Sequence, residues 1–196
     1  MPELPDVVVY IERLTALFAG RPIRRLQVFG PALLQTWDPR PEAVAGRTVL
    51  GFRRYGKRIA WQLEGELWLV FHLMIAGRFH WKAGGLWPKA RPPKIVQALL
   101  QFDEGILQLT EAGTKKRALL YIVRGEAALA EFALGGLEPL EADLPAFRAA
   151  LLRENHTLKR SLTDPRLFSG IGNAYSDEIL HRARLSPLRL TSQMSD

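Results

Sequence analysis

The first residues of the chain combine a candidate nucleophile with an acid. The sequence opens Met1-Pro2-Glu3, and removal of Met1 would leave Pro2 with a free secondary amine. An α-amino group has a pKa of about 7.7–8, so an appreciable fraction is unprotonated at neutral pH and can form a Schiff base. Glu3 stands beside this amine and could shuttle protons or protonate a leaving oxygen. Many chains begin in this way, however, and Glu3 could equally be a solvated acid ahead of a helix.

A second candidate is Lys57, which follows Gly56 at the entry to a predicted strand. A lysine in such a turn can carry a mobile point charge to a phosphate or a developing oxyanion. Arg53, Arg54 and Arg58 would reinforce its field. The alternative is an ordinary charged turn.

The third candidate is a pair of glycines, Gly170 and Gly172, which precede a predicted helix starting at Asn173. Glycine lets the backbone approach a ligand closely, and exposed amides at a helix start attract phosphate. The Asn173 side chain could add a donor. Glycines also precede helices for purely structural reasons.

Hydrophobic periodicity predicts the elements that must position these residues. Residues 6–19 show helical spacing that ends at Gly20, whereas residues 24–123 alternate with a period of two. Two hairpins are expected, 59–63 with 67–71 and 96–102 with 106–110, followed by a strand at 118–123. Helices are expected at 126–134, 146–154, 157–163 and 173–183. The predicted fold class is α+β, with an N-terminal helix, an antiparallel β-sandwich or barrel, and then an all-helical domain.

Composition and charge restrict the partners. The 196 residues carry 27 Lys and Arg against 20 Asp and Glu, a formal net charge of +7. Residues 126–146 hold five acids and no base, and they divide two basic regions. Glycines and prolines in this acidic stretch are typical of a domain junction. A phosphate backbone suits such basic regions, although a merely soluble cationic surface would look the same.

Some chemistry and some locations are disfavoured. The absence of cysteine excludes disulfides and thiolate-ligated zinc within these residues, and four scattered histidines disfavour a catalytic metal. No apolar run reaches the ~18 residues of a spanning helix, and Glu3 stands where a signal peptide needs basic residues. We therefore expect no cofactor within these residues, no membrane partner and a cytoplasmic location.

Several segments occur together in a characteristic order. They are Met1–Val7, the Lys57 turn, His72-Leu73 with Ala76-Gly77, Gly135–Leu140, and Gly170–Tyr175 followed by Asp177-Glu178. Over essentially the whole chain the sequence resembles formamidopyrimidine-DNA glycosylase and its endonuclease VIII relatives, and its start is closer to the formamidopyrimidine branch. The resemblance implies a catalytic β-sandwich domain at residues 1–134, a linker at 135–145 and a helix-two-turn-helix DNA-binding domain at 146–196.

By this resemblance the chain is a bifunctional DNA glycosylase and AP lyase that removes oxidised bases in base-excision repair. Pro2 would attack C1′ of the damaged nucleotide, expel the base, form a Schiff base and cut the strand by β,δ-elimination. Glu3 would be its acid/base partner, and Lys57 would contact the phosphate or assist base release. The target nucleotide would be flipped out of damaged double-stranded DNA. The residues implied to bind DNA are Asn173, Lys159, Gly170, Gly172, the apolar wedge residues Ile75 and Met74, and the basic residues Lys115, Lys116 and Arg117.

The sequence departs from the family pattern in places. Ile75 stands at the position of the family's methionine wedge, with Met74 one place earlier, and Glu111–Arg117 replaces the family's Asp-Pro-Arg-Arg-Phe segment without an aromatic residue. Family proteins also continue into a zinc finger or a zincless hairpin. We therefore expect a monomeric fragment whose helical domain is incomplete at Asp196, with any zinc finger beyond it. A second hypothesis stays open, that the chain is a non-catalytic binder of damaged or abasic DNA derived from this family.

Overall fold

The computed structural model describes residues 1–194, which form two compact units. The first unit contains Met1–Pro2, Val7–Arg54 and Arg58–Ala130. The second contains Glu3–Asp6, Tyr55–Lys57 and the chain from Glu131 onward. Glu3–Asp6 and Tyr55–Lys57 thus belong to the second unit, although most of that unit comes from the C-terminal part of the chain. The expected domain boundaries remain predictions, and the expected end at Asp196 lies outside the described residues.

The helices and strands follow the predicted order. The strands are β1 (Arg25–Val28), β2 (Val49–Tyr55), β3 (Arg58–Leu63), β4 (Leu67–His72), β5 (Gly77–Ala83), β6 (Val96–Phe102), β7 (Gly105–Glu111) and β8 (Leu119–Arg124). The α-helices are α1 (Leu4–Phe18), α2 (Gly125–Ala130), α3 (Leu144–Leu152), α4 (Leu158–Thr163) and α5 (Asn173–Ala183), with short 3-10 helices at Pro41–Val44 and Thr191–Gln193. Within residues 1–194, no helix has the length and apolar character that crossing a bilayer requires.

The first unit contains an antiparallel β-sandwich preceded by a helix, which confirms the predicted fold class. One sheet has the strand order β1-β6-β7-β5 and the other has β2-β3-β4-β8. Both predicted hairpins are confirmed, since β3 pairs with β4 and β6 pairs with β7 in antiparallel register. The strand expected at 118–123 is β8, which pairs with β4.

The core of the sandwich combines side chains from α1 and both sheets. The ring of Phe18 on α1 lies 4.4 Å from that of Phe102 and 5.7 Å from that of Trp61, measured between centroids. Strict alternation fails on β4, where Trp68 and Val70 are buried as well as Leu67, Leu69 and Phe71. This strand is central, between β3 and β8, and α2 packs against it, so both of its faces are covered.

The second unit is helical apart from isolated bridges, and the helices expected at 157–163 and 173–183 are confirmed as α4 and α5. Its core contains residues of α3, α4, α5 and the segment between α4 and α5. They are Leu151, Leu158, Leu162, Leu167, Phe168, Ile171 and Leu180.

Three helices, α1, α2 and α3, have boundaries that differ from the predictions by two residues or more. Helix α1 begins at Leu4 rather than at residue 6, and α2 ends at Ala130 rather than at residue 134. Helix α3 covers Leu144–Leu152 rather than residues 146–154. It begins earlier because Pro145 lies in its first turn, where a missing N–H breaks no intrahelical bond. The Asp143 side chain caps this turn by accepting the N–H of Ala146 at 2.9 Å.

The early end of α2 follows from the chain that comes after it. Gly135 adopts a left-handed conformation with φ of 77°. The next residues pair with a distant segment, since the Leu137 N–H donates to the Leu167 carbonyl at 2.9 Å. The chain has therefore left the helical path before it reaches Leu137, and residues 131–134 connect α2 to this pairing.

Candidate functional site

The carboxylate of Glu3 is the centre of a buried hydrogen-bond arrangement at the start of α5. Glu3 is only 3% exposed. Its oxygens accept three backbone N–H groups, from Gly172 at 2.8 Å, Ala174 at 3.0 Å and Tyr175 at 3.0 Å. A helix leaves such amides without intrahelical partners, and the positive end of its dipole favours a negative group. A side chain 169 residues away from Gly172 therefore caps α5.

The backbone around Glu3 is fixed by two further bonds. The Glu3 N–H donates to Oδ2 of Asp6 at 2.9 Å, which closes the first turn of α1. The Leu4 N–H donates to the carbonyl of Gly170 at 3.0 Å. Pro2 is bonded directly to this fixed residue and is itself buried. The candidate nucleophile is thus attached to a residue that has little freedom to move.

Lys57 faces the same part of Gly172 as Glu3 does. A Cβ on Gly172 would lie 2.5 Å from Oε1 of Glu3 and 2.5 Å from Nζ of Lys57, so only a glycine leaves room for both groups. Lys57 occupies the turn between β2 and β3, where Gly56 adopts a φ of 59°. Burial lowers the pKa of Lys57, and the negative charge of Glu3 acts in the opposite direction.

Three amides at the start of α5 already donate to Glu3, whereas the glycine pattern predicts amides that are exposed to a ligand. Glu3 thus supplies an internal anion to the helix start. Asn173 is exposed at the first position of α5. Its contribution to DNA binding, with that of Gly170 and Gly172, stays a prediction.

The arginines expected to reinforce Lys57 have contacts of their own in the first unit. Arg53 forms an ion pair of 2.8 Å with Glu126, and its guanidinium lies 4.7 Å from the ring centroid of Trp68. Burial lowers the pKa of Arg58. Arg53 is therefore engaged in holding α2 against the sheet.

Comparison with known sequences decides the family. The family model described as the formamidopyrimidine-DNA glycosylase N-terminal domain matches residues 1–118, and the model of the formamidopyrimidine-DNA glycosylase H2TH domain matches residues 136–196. The chain belongs to the formamidopyrimidine-DNA glycosylase family. A relative of that name from Moorella thermoacetica is 34% identical over 205 residues, covering 100% of this chain and 72% of the relative. Another, from Thermus thermophilus, is 34% identical over 200 residues, covering 100% of this chain and 69% of the relative.

Solved structures of formamidopyrimidine-DNA glycosylases have the same fold. The MutM (Fpg) protein from Thermus thermophilus gives a TM-score of 0.81 at 31% identity, covering 99% of this chain and 69% of that one. An inhibited LlFpg in complex with DNA containing N7-benzyl-Fapy-dG gives a TM-score of 0.86 at 25% identity, covering 100% and 72%. The similarity includes the helices as well as the sandwich.

The predicted wedge of this glycosylase-family chain lies in a braced turn between β4 and β5. The Ile75 side chain is 57% exposed, and Met74 before it adopts a left-handed φ of 51°. The Met74 N–H donates to Nδ1 of His72 at 3.2 Å, and the Arg78 guanidinium donates to the Ile75 carbonyl at 3.1 Å. These bonds hold an apolar side chain in solvent, and its role as a wedge stays a prediction.

Glu111 organises the loop that carries the predicted basic residues, a role that sequence reasoning missed. It is 1% exposed, and its carboxylate accepts the N–H groups of Arg117 at 2.9 Å and Ala118 at 3.2 Å. The Lys116 ammonium donates to the Glu111 carbonyl and so is directed back onto its own loop. Lys115 and Arg117 are exposed. An acid at the end of an apolar strand, four residues before a basic run, was the signal that could have revealed this arrangement.

Lys159, also predicted to bind DNA, forms an ion pair of 2.6 Å with Asp177, which joins α4 to α5. Asp177 is therefore a competitor for any phosphate that approaches this ammonium. Among residues 1–194, no group of three or more His, Cys, Asp or Glu is arranged to hold a metal ion.

Proposed function

We propose that this chain is a DNA glycosylase with AP-lyase activity that acts on damaged double-stranded DNA in base-excision repair. The observation that carries the proposal is the buried carboxylate of Glu3, held by three α5 amides next to Lys57 and directly after Pro2. A carboxylate that only capped a helix would need neither the lysine nor the preceding proline. Family membership supports the same activity.

The first step uses the Pro2 amine. With Met1 removed, the unprotonated nitrogen attacks C1′ of the damaged nucleotide, and the bond from C1′ to the base breaks as the base leaves with its electron pair. Glu3 handles the protons. A carboxylate has about four lone-pair positions, so three amide bonds leave about one for a proton on its way to the sugar ring oxygen.

Ring opening gives a Schiff base between Pro2 and C1′, which makes a proton on C2′ acidic and allows β- and then δ-elimination of the flanking phosphates. Lys57 supports these steps as a partly desolvated cation that can stabilise a phosphate or a developing oxyanion. Burial lowers the pKa of Lys57, so this lysine gives up a proton more readily than an exposed lysine does.

Borohydride trapping on a labelled duplex with one abasic site tests the amine chemistry without requiring base recognition. The chain with a free N-terminus should form a covalent adduct, and the same chain with an uncleaved N-terminal extension should not. Mass spectrometry of the N-terminal peptide should locate the adduct on Pro2. Pro2→Gly replaces the secondary amine and should trap less adduct, and Pro31→Gly, at an exposed proline in the first unit, is its matched control and should trap like the wild type.

Two results would contradict the proposal. An adduct located on Lys57 would assign the nucleophile to a different residue. Binding of the abasic duplex at low salt without any adduct, in a chain whose free Pro2 amine has been verified, would favour the non-catalytic binder instead.

A further inference from the structure

One segment of the first unit is free of acidic residues. From residue 67 to residue 102 the sequence contains no Asp or Glu. Its cations are Arg78, Lys82, Lys89, Arg91 and Lys94. Elsewhere on this unit arginines have carboxylate partners, as Arg24 does in Asp103 at 2.7 Å. Surfaces of soluble proteins usually mix both signs, so a one-sign segment creates a local field that attracts anions.

Three cations meet at one cavity of this region. The cavity has a volume of about 490 Å³ and lies beside the edge strand β1, under the loop formed by residues 84–95. Arg25 of β1 and the exposed residues Lys89 and Arg91 of the loop line it. Within the part of the chain that the structure describes, none of the three forms an ion pair. We call this site the Arg25 cavity.

The guanidinium of Arg25 is held in place by an aromatic ring. It lies 4.2 Å from the ring centroid of Trp87, and Trp87 packs against an apolar cluster on β6 and β7. The buried residues of that cluster are Val96, Leu99 and Ile106. A stacked guanidinium keeps its N–H edge available, and this planar fork matches two oxygens of a phosphate.

The loop itself is stiffened by proline. Pro88, Pro92 and Pro93 restrict the backbone on both sides of Arg91. A restricted loop loses less conformational entropy when it binds than a flexible one does. Lys89 and Arg91 are thus presented by a segment that needs little ordering.

We infer that the Arg25 cavity, with Lys89 and Arg91, binds the phosphodiester backbone of nucleic acid without regard to sequence or damage. Regularly spaced phosphates suit an array of unpaired cations, and such contacts supply most of the affinity for undamaged DNA. Two aromatic residues line the cavity, Phe29 and Trp87, and both pack against the apolar cluster. Arg25 covers the ring of Trp87, so charge rather than open apolar surface dominates the cavity, which favours a phosphate backbone over the side chains of an acidic peptide. This contact would keep the protein on DNA while it searches for damage, a role beyond the excision chemistry proposed above.

The salt dependence of binding to an undamaged 20-base-pair duplex tests this inference. In a plot of log Kobs against log salt, each phosphate contact contributes about −0.9 to the slope. The double variant Lys89→Gln/Arg91→Gln should therefore show a slope shallower by about 2 and an affinity about tenfold lower near 0.1 M salt. Arg25→Lys keeps the charge but loses the planar fork, so it should weaken binding a few-fold without changing the slope.

A matched control removes the same charge elsewhere on the first unit. Arg13→Gln/Arg40→Gln changes two exposed arginines outside the acid-free segment, and it should leave the slope unchanged. Equal slopes and affinities for the two double variants would overturn the inference. So would a polyglutamate peptide that displaces the duplex as well as an oligonucleotide of equal charge, because the surface would then prefer an acidic protein.

The yield of borohydride adduct on abasic DNA provides an independent check of the inference. At saturating protein, the yield of borohydride adduct on abasic DNA should be the same for Lys89→Gln/Arg91→Gln as for the wild type. A lost adduct would place these residues in the reaction and overturn a damage-independent role. Binding to undamaged DNA requires no adduct, so failure of the proposed lyase chemistry and failure of this inference would be seen separately.

Discussion

Replacing Gly172 by Ala tests the geometry of the Glu3 and Lys57 site. The new Cβ would lie 2.5 Å from Oε1 of Glu3 and 2.5 Å from Nζ of Lys57, whereas non-bonded heavy atoms normally lie about 3.5 Å apart. The backbone itself accepts alanine, because φ at this residue is −133°. The two charged groups end flexible side chains, so they should move by about 1 Å while the fold survives.

The consequences for reaction rate and stability differ in size. A displacement of about 1 Å in a catalytic group typically costs about 100-fold in rate, so the single-turnover rate of adduct formation with abasic DNA should fall by about that factor. Loss of one amide bond to the Glu3 carboxylate should cost about 2 kcal/mol, because a charged group accepts it. For a chain of this length that corresponds to a fall of about 4–8 °C in Tm.

Gly51→Ala is the matched control, since a Cβ on Gly51 would meet nothing within 4 Å and its φ is not in the left-handed region. It should change neither the rate nor the Tm appreciably. The reasoning would be refuted by a Gly172→Ala protein that forms the adduct within threefold of the wild-type rate. A fall in Tm well beyond about 4–8 °C, with an unchanged m-value, would also contradict it, because the whole fold would then have been destabilised rather than the site alone.

Three further predictions concern charged groups. Because burial lowers the pKa of Lys57, the rate of adduct formation should decline at alkaline pH before the ordinary lysine value is reached, and Lys57→Arg should remove this decline since arginine stays protonated. Arg166 lowers the pKa of Asp164 to about 2, which stabilises the fold above the unfolded carboxyl's pKa and is lost as pH falls towards 2. Asp164→Asn should therefore lower Tm by about 2–4 °C at pH 6, with a difference that shrinks below pH 4. Asp177→Asn should free Lys159 and tighten binding to duplex DNA by about two- to fivefold, measured by anisotropy at fixed salt.

Each of these has a contrary result. A decline at alkaline pH that persists in Lys57→Arg would assign it to another group. A Tm difference for Asp164→Asn that stays constant down to pH 2.5 would mean that Arg166 does not hold the carboxylate in solution. Unchanged or weaker DNA binding by Asp177→Asn would remove Lys159 from the DNA-binding surface.

Local patterns made much of the fold predictable. Helix α5 was predicted from residue 173 to residue 183 because two glycines and an apolar repeat lie within a few residues of one another. The hairpin of β3 and β4 was predictable for the same reason, since its turn separates two short apolar runs. Pro145 misled the prediction because proline is typical both of linkers and of the first turn of a helix.

The residues of the site could be predicted from the sequence, but their geometry could not. Glu3 and Lys57 could be singled out by type and position, but nothing near Glu3 indicates that its oxygens accept amides from residues 172–175. Lys115 and Lys116 are neighbours of the same type, yet only the second turns back onto its loop. Such differences depend on which distant groups fold together, and a single sequence carries no local signal for that.

The capping of α5 by Glu3 also has a consequence for biosynthesis. The ribosome makes Pro2, whose amine we propose as the nucleophile, long before it makes α5, because the Gly172 amide that fixes Glu3 lies 169 residues further along the chain. Closing so long a loop is a late event in folding, because contacts distant in sequence form slowly. Until Tyr175 has emerged, a nascent chain would carry a terminal amine without an oriented proton carrier. The proposed release of the damaged base would therefore begin only after α5 has been made and has bound the Glu3 carboxylate.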